Sequence, residues 1–384
     1  MATCYKELTP NNNVRIELWE FTAANGMGER HVMIHARQSR QTAKEQIESV
    51  VEAYNRLLED LTNYHAVFRR FFLSDAANQA ELLTKILGQE CQPTATSTVE
   101  QPPLDGTKIA LWAYLVEGVT IQRLDNGLSV ATHGAYSHYW GGTRTLRHGD
   151  SEQQTYQLLD EYANQLKEEG MTLEHDCIRT WFLVQNVDVN YAGVVKGRNE
   201  LFDRHNLVPE NHFISSTGIG GRTDDSRELV QMNTYAVKGL GDGQINFLHA
   251  KKQMNSTAEY GVRFERGTYI DYGDRRHVFI SGTASIDNKG NVVHVGEIEN
   301  QVHRMWVNVE ALLNEGQMGF DDIAQILVYL RDPADYSVVS RLFKERFPNT
   351  PKVILLAPVC RPTWLIEMEC MGIKEIKDSR FKPF

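Results

Sequence analysis

Two stretches, EQIESVVEAYNRLLED (Glu45–Asp60) and NQVHRMWVNVEALLNE (Asn300–Glu315), carry the same pattern and decide the fold. In the first, Ile47, Val50, Val51, Tyr54, Leu57 and Leu58 stand at offsets 0, 3, 4, 7, 10 and 11, and in the second Val302, Met305, Trp306, Val309, Leu312 and Leu313 repeat those six offsets. Such spacing stacks apolar side chains on one face of a helix. Gln46 and Gln301 each precede the first apolar position. Working outward, each helix runs into a short apolar strand and an acidic turn, VFRRFFLSDAAN at Asp75 and IAQILVYLRDPADY at Asp332. A second helix follows in both places, AELLTKIL and YSVVSRLFKERF, and each region closes on a strand, KIALWAYLV or WLIEMECMGI.

The middle of the chain repeats the plan more loosely, from EQQTYQLLDEYANQLKEEGMTLEHD through CIRTWFLVQNVD and NYAGVVKGRNELFDRH to FISSTGIG and ELVQMNTYAV. Turn formers concentrate in GVTIQRLDNG and GLGDGQINFL, which sets three units at residues 1–117, 118–250 and 251–384. Each is an ordinary domain size of roughly 115 to 135 residues. Within the third unit the order reads as two strands (HVFISGTASI and NVVHVGE), helix, strand, helix and two strands. The fold class is therefore α+β, three tandem modules, each a mostly antiparallel sheet with two helices on one face.

Composition narrows the partners. With 384 residues and 41% hydrophobic content the chain can bury real cores, which excludes a disordered or fibrous protein. Its 50 acidic against 40 basic residues give a net charge of −10, a poor match for a nucleic-acid backbone. Five scattered cysteines (Cys4, Cys91, Cys177, Cys360, Cys370) form no CxxC pair, so neither a disulfide framework nor a zinc ribbon is indicated. The opening MATCYKELTPNNN lacks an apolar h-region, and no stretch reaches the ~18 apolar residues of a membrane span. The expectation is a cytoplasmic protein without a membrane or nucleic-acid partner.

The run SGTASID, NVVHVGE, the Gln301 helix with Asn308, LVYLRDPADY and the closing PVCRPTWLIEMEC together resemble the RidA/YjgF superfamily across nearly the whole third unit. The most specific part is the ending, an IExE strand (Ile366, Glu367, Glu369) behind a Pro-containing loop with Arg361. The resemblance implies a chorismate-mutase-like fold and, because such proteins are homotrimers with clefts between subunits, an intrachain pseudo-trimer that is monomeric as a chain. The strings RTWFL, KGRNELF, SSTGIGG, RFERG, SGTASI and VCRPTWLIEMEC are similar to the chorismatase branch, which hydrolyses the enolpyruvyl ether of chorismate. In one respect the sequence departs from single-unit RidA deaminases. Where their carboxylate-holding Arg opens the penultimate strand, TPKVILLAP offers Lys352.

Glu367 and Glu369 lie two apart on a strand and so share a face, where paired carboxylates raise each other's proton affinity and keep one neutral as a general acid. Aligning the closing strands places Gln231 and Asn233, then Ala110 and Trp112, at the two acid positions of the other units. Arg361, Arg179 and Arg198 lead the candidates for holding a substrate carboxylate, ahead of Arg222, Arg263 and Arg266. Cys360 is a cleft-lining residue, since nothing beside it supplies a base. His133, His138 and His148 lack metal-ligand spacing, HYWGGTRTLRHGD reads as a loop, and STGIGGR reads as a strand and turn; neither a metal nor a cofactor is indicated.

Deaminases and chorismatases act on a CH2=C(X)–COO− unit with X nitrogen or an ether oxygen. First choice is hydrolysis of a chorismate-type enolpyruvyl ether, with Glu367 as acid and Glu369 tuning it. The alternatives are a RidA-type enamine/imine deaminase and a non-catalytic binding protein for a small carboxylate-bearing metabolite. A ribonuclease reading suits neither the negative charge nor the absence of a His pair placed for phosphodiester cleavage.

Overall fold

The computed structural model describes residues 3–24, 27–88 and 93–384, and Cys91 lies outside the described residues. Module one runs β1 (Cys4–Asn11), β2 (Val14–Thr22), β3 (Gly28–Ala36), α1 (Ala43–Asp60), β4 (Tyr64–Leu73), α2 (Ala76–Leu87), β5 (Ala95–Glu100) and β6 (Ile109–Glu117). Module two runs β7 (Thr120–Arg123), β8 (Ser129–His133), β9 (Tyr136–Thr145), α3 (Ser151–Glu168), the single turn α4 (Leu173–Asp176), β10 (Cys177–Val184), α5 (Val187–Arg204), β11 (Ser215–Gly220) and β12 (Val230–Lys238). Module three runs β13 (Ile245–Leu248), β14 (Gly267–Asp271), β15 (Arg275–Ala284), α6 (Ile298–Glu315), β16 (Ile323–Leu330), α7 (Tyr336–Arg346), β17 (Lys352–Leu356) and β18 (Ile366–Glu375).

Among the described residues these strands form three six-stranded sheets of one topology: β1-β2-β3-β6-β4-β5, β7-β8-β9-β12-β10-β11 and β13-β14-β15-β18-β16-β17. In each, the last pair is parallel and its neighbours antiparallel. The closing strand thus sits at the centre of its sheet, flanked on both sides and buried. This is the α+β plan of three tandem RidA-like modules. Three details differ from the sequence reading. NVVHVGE is no strand: His294 and Gly296 take left-handed backbone, which turns the chain into α6, and Val292 keeps a single bridge to Ile286. β13 lies ahead of residue 251 yet pairs with β14, so the third sheet begins inside the segment that turn formers assigned to the second unit. HYWGG belongs to β9, because its polar and aromatic side chains find partners inside the protein.

The repeated apolar offsets become buried helix faces: Ile47, Val50, Val51, Tyr54 and Leu57 on α1, and Val302, Met305, Trp306, Val309, Leu312 and Leu313 on α6. The glutamine ahead of each face has a structural task. Gln46 Oε1 accepts the Lys108 N–H at 2.8 Å, Gln154 Oε1 accepts the Leu229 N–H at 2.9 Å, and Gln301 Oε1 accepts the Leu365 N–H at 2.9 Å. Each amide pins the residue that leads into β6, β12 or β18. A buried amide satisfying a backbone N–H at a strand entry fixes register, because the alternative is an unpaired buried donor. The second residue of each closing strand is thereby placed equivalently: Ala110, Gln231 and Glu367.

The sheet faces turned away from the helices meet in one interior. Phe68, Trp112 and Tyr114 of module one pack with Trp140, Trp181 and Tyr235 of module two and Phe279 of module three. Phe68 stacks on Trp181 at 6.0 Å between ring centroids, Trp140 on Tyr235 at 4.0 Å, and Tyr235 meets Phe279 at 5.4 Å. Aromatic pairs of this kind contribute about 0.5–1.5 kcal/mol each beyond their buried area. The modules are therefore joined as one interior core.

Candidate active site

Between modules two and three lies a cavity of about 360 Å³. Its walls come from α5 (Tyr191, Val195, Arg198), β11 (Ser216, Gly218), β15 (Gly282, Ala284) and the segment before β14 (Phe264, Arg266). Module three adds Glu367 of β18 and, from the loop ahead of that strand, Cys360, Arg361 and Trp364. The loop is anchored at several points. Gln301 Nε2 donates to Thr363 O at 2.9 Å, Trp364 Nε1 donates to Ser285 O at 2.9 Å, and Asn308 Nδ2 donates to both Ala284 O and Ile286 O at 3.0 Å. Helix α6 therefore holds the strand entry and the far end of β15 together, and Glu367 sits between them.

Strand alternation turns both glutamates toward module two, but they do different things. Glu369, 1% exposed, is closed off in an ion pair: Arg179 Nη2 donates to it at 2.9 Å, Trp181 Nε1 donates at 2.8 Å, and the Thr217 hydroxyl completes the set. Glu367 faces the cavity. Its carboxyl occupies the space that a side chain at position 282 would fill, since a β-carbon on Gly282 would stand 2.1 Å from Glu367 Oε1. Burial, helped by the negative charge of Glu369, pushes Glu367 up to about 8 from its ordinary 4.5, with Arg179 and Arg266 pulling partly the other way. At neutral pH it is mostly a neutral acid, able to give a proton.

The sequence candidates divide accordingly. Glu367, Arg198, Arg361 and Cys360 line the cavity. Arg179 does not: its Nη1 donates to Ser281 Oγ at 3.0 Å and its Nη2 serves Thr217 and Glu369, so this guanidinium neutralises a buried carboxylate behind the site. Glu369 likewise stands behind the cavity and acts through its charge. Arg266, ranked low from sequence, is on the wall, 5% exposed, with Nη2 donating to Asn255 O at 3.2 Å. The signal was present in RFERG, where Arg266 immediately precedes a Gly-initiated strand and shares its sheet face with the cavity. Arg222 and Arg263 pair with Glu100 and Asp203 away from the cavity. Arg361 stacks on Trp364 at 4.5 Å and donates to Gly290 O at 3.2 Å. Burial and the nearby Glu367 push the Cys360 thiol up to about 12, which removes it as a nucleophile at neutral pH. Lys352 opens β17 at a different interface, its Nζ donating to Phe347 O at 2.8 Å and Thr350 O at 3.1 Å. His133 and His138 face each other, Nε2 to Nε2 at 2.8 Å, in the shared interior. Among the described residues no group of three or more His, Cys, Asp or Glu is arranged to hold a metal ion, and no helix is long and apolar enough to cross a membrane.

Residues 265–374, which contain β18 and most of the cavity's module-three wall, match the family described as Endoribonuclease L-PSP. Module three is a RidA-superfamily module. The chain is 29% identical over 100 residues to a RutC family protein of Pyrococcus abyssi, covering 26% of this chain and 79% of that protein. It is also 27% identical over 93 residues to the 3-aminoacrylate deaminase RutC of Acinetobacter baylyi, covering 24% of this chain and 74% of that protein. The fold of the longer chain is similar to a crystal structure of chorismatase, with a TM-score of 0.63, 18% identity, and coverage of 80% of this chain and 92% of that one. The chain thus extends the RidA plan into a three-module, chorismatase-like architecture.

Proposed function

We propose that the cavity between modules two and three hydrolyses a CH2=C(X)–COO− group, with a chorismate-type enolpyruvyl ether as first substrate. The observation that carries this reading is a buried acid, Glu367, facing a cavity that also presents Arg198, Arg266 and Arg361. The neutral carboxyl of Glu367 donates its proton to the methylene carbon, leaving an oxocarbenium at the carbon that bears the ether. The resulting Glu367 carboxylate takes a proton from water as the water oxygen bonds to that carbon. The hemiketal then collapses: Glu367 gives its proton to the ether oxygen as the C–O bond to the alcohol breaks, and takes the hydroxyl proton as the C=O of pyruvate forms, which leaves it neutral for the next turnover. One water is consumed, and pyruvate and an alcohol are released.

Each group has a chemical reason to be there. Arg198 and Arg266 hold the substrate carboxylate, for which a planar guanidinium offers paired donors. Buried Glu369 keeps Glu367 protonated, and Arg179 makes Glu369 tolerable by pairing with it. The apolar wall of Tyr191, Val195, Phe264 and Trp364 accommodates a ring. Two observations weigh between substrates. A volume of about 360 Å³ exceeds what an aminoacrylate needs and falls in the range of ring-sized ligands. The similarity of part of the chain to a 3-aminoacrylate deaminase favours the enamine chemistry as second reading, by the same steps with ammonia as leaving group.

The test is release of pyruvate from chorismate and, separately, from freshly generated 2-aminoacrylate, by the full chain and by Glu367→Gln. Catalysis by Glu367 predicts a fall in kcat of about 10²–10⁴ for the substrate that turns over, with thermal stability retained. Binding of either carboxylate without release of pyruvate by the unaltered chain overturns the hydrolytic reading in favour of a binding protein.

A further inference from the structure

The three modules repeat one set of inward-facing positions, and module one fills one of them with a charge that the hydrolytic reading does not use. Pairing with the closing strands makes Arg70, opposite Trp112, equivalent to Trp181, opposite Asn233, and to Leu327, opposite Glu369. By the same registers Phe72 and Leu183 are the equivalents of Tyr329, which lies opposite Glu367. Arg70 is fully buried, and its Nη2 donates to the side-chain oxygen of Asn233 at 3.0 Å, a neutral partner. Burying a guanidinium beside an amide is costly, and the tryptophan and leucine of the other modules show that the position accepts an uncharged side chain.

Arg70 reaches the acidic pair from behind. Its Cζ lies 5.1 Å from the Trp181 ring centroid, Arg179 Cζ lies 4.9 Å from the same ring, and Trp181 Nε1 donates to Glu369 at 2.8 Å. Burial draws the Arg70 guanidinium down, and Tyr329 and Glu369 act against that fall. The Tyr329 phenol is pushed up by burial and by Glu369, with Arg70 and Arg179 pulling the other way. All three modules thus meet on one buried set of charges: Arg70 from module one, Arg179 from module two, and Glu367 and Glu369 from module three. With Glu367 protonated the set carries an excess positive charge. With Glu367 ionised it is balanced.

We propose that Arg70 is a positioning residue for the cavity between modules two and three, a remote counter-charge from module one that lets Glu367 release its proton. Its catalytic meaning rests on the hydrolytic reading, in which the Glu367 carboxylate forms as the methylene carbon is protonated. Glu367 has Glu369 on its own strand, Tyr329 opposite it on β16 and Arg179 on β10. Around the cavity stand Arg266 ahead of β14, Tyr191 and Arg198 on α5, and Cys360 and Arg361 on the loop before β18. Burial and Glu369 hold the proton on Glu367 while cations favour its loss. Arg70 joins the cations by compensating Glu369, without touching the cavity. Removing its charge leaves Glu369 less compensated and strengthens the hold of Glu367 on its proton.

Infrared difference spectra across a pH series, taken against Glu367→Gln, follow the Glu367 carboxyl in Arg70→Met and Arg70→Gln. Loss of the carboxylic band, expected at about pH 8 in the unaltered chain, should move upward by about one pH unit in both uncharged variants, which is a tenfold weaker acid. Asn233→Ala removes the hydrogen-bond partner of Arg70 but keeps its charge, so its midpoint should stay in place. For whichever substrate turns over, kcat of the Arg70 variants should fall several-fold with KM little changed, because Arg70 lies outside the cavity. Arg70→Gln keeps a donor for Asn233 and decides the matter should Arg70→Met fail to fold. An unmoved midpoint in an uncharged variant, an equal shift in Asn233→Ala, or unaltered kcat in a chain that turns substrate over would each overturn the proposal. The infrared midpoint needs no substrate, so absence of turnover would defeat the hydrolytic reading alone. An unmoved midpoint beside turnover that still depends on Glu367 would defeat this inference alone.

Discussion

The interface of modules one and two and that of modules two and three use the same backbone positions for different chemistry. At the first, Asn233 accepts from Arg70 Nη2 at 3.0 Å and from Ser97 Oγ at 2.8 Å, and Gln231 Nε2 donates to Ser97 Oγ at 3.2 Å and Thr143 Oγ1 at 3.1 Å. At the second, the register equivalents are Glu369, Trp181, Thr217 and Glu367, and Gly282 replaces Thr143. The amides are tied off by two hydroxyls and the Arg70 guanidinium, with no carboxylate in the set. The acids need Arg179 to neutralise one carboxylate, and a missing side chain at Gly282 to give the other a cavity. The helices differ too: the twelfth residue of α5 is Arg198, on the cavity wall, where the twelfth and last residue of α2 is Leu87. On the proposed function, a reactive interface in this fold requires an acid, its buried counter-charge, an emptied neighbour and a helix cation together.

The largest expected loss of stability comes from breaking the counter-charge. Glu369→Gln leaves Arg179 buried beside a neutral amide, and removal of one member of a buried pair costs about 3–5 kcal/mol. Asn233→Ala at the amide interface should cost about 1–3 kcal/mol. Denaturant melts of both variants check the order; equal losses would remove the electrostatic distinction between the interfaces. Next, Gly282→Thr copies the amide interface onto the acidic one. The added atoms collide with Glu367, and turnover should drop about a hundredfold with the fold intact, as expected for a displaced catalytic group. Unchanged turnover would show that the emptied neighbour is not required.

A third effect depends on pH. Glu367 has a folded value raised to about 8 from 4.5, so the folded chain holds a proton that the unfolded chain releases between those values. Its contribution to stability is present below about pH 4.5 and is lost as pH rises through 8. Glu367→Gln lacks that loss, so it should melt with the unaltered protein near pH 4 and be more stable near pH 9 by about 5 kcal/mol. Parallel stability curves across this range would contradict the raised value. The smallest effect is Thr143→Gly, which removes one hydroxyl acceptor and should cost about 1 kcal/mol in the same melts.

The repeat was legible because helix faces and closing strands obey fixed periods: the offsets of α1 and α6 and the two-residue spacing of Glu367 and Glu369 are properties of the chain alone. Gln46 and Gln301 were visible as matching residues, but their role at the strand entries, and the third member Gln154, required the fold. Arg179 and Arg198 looked alike as cations in similar strings. What separates them is direction: Arg179 on β10 points at Glu369 across the interface, whereas Arg198 on α5 points into the cavity. Arg266 ranked low because its place on the cavity wall comes from the bridge of the neighbouring Glu265 to Ser215 of module two, a contact made only in the fold. The NVVHVGE segment misled because alternating valines imitate a strand, while the positive φ of His294 breaks it.

The account turns on a neutral carboxyl at position 367 in the cavity. Difference infrared spectroscopy of the full chain against Glu367→Gln, across a pH series, observes it without any substrate. The prediction is a protonated carboxylic C=O band at pH 7 that is absent in the variant and disappears from the unaltered protein as pH rises through about 8. Identical carboxylic bands in the two proteins at pH 7 would mean that Glu367 is already ionised, and that the interface of modules two and three lacks the acid on which the proposed chemistry depends.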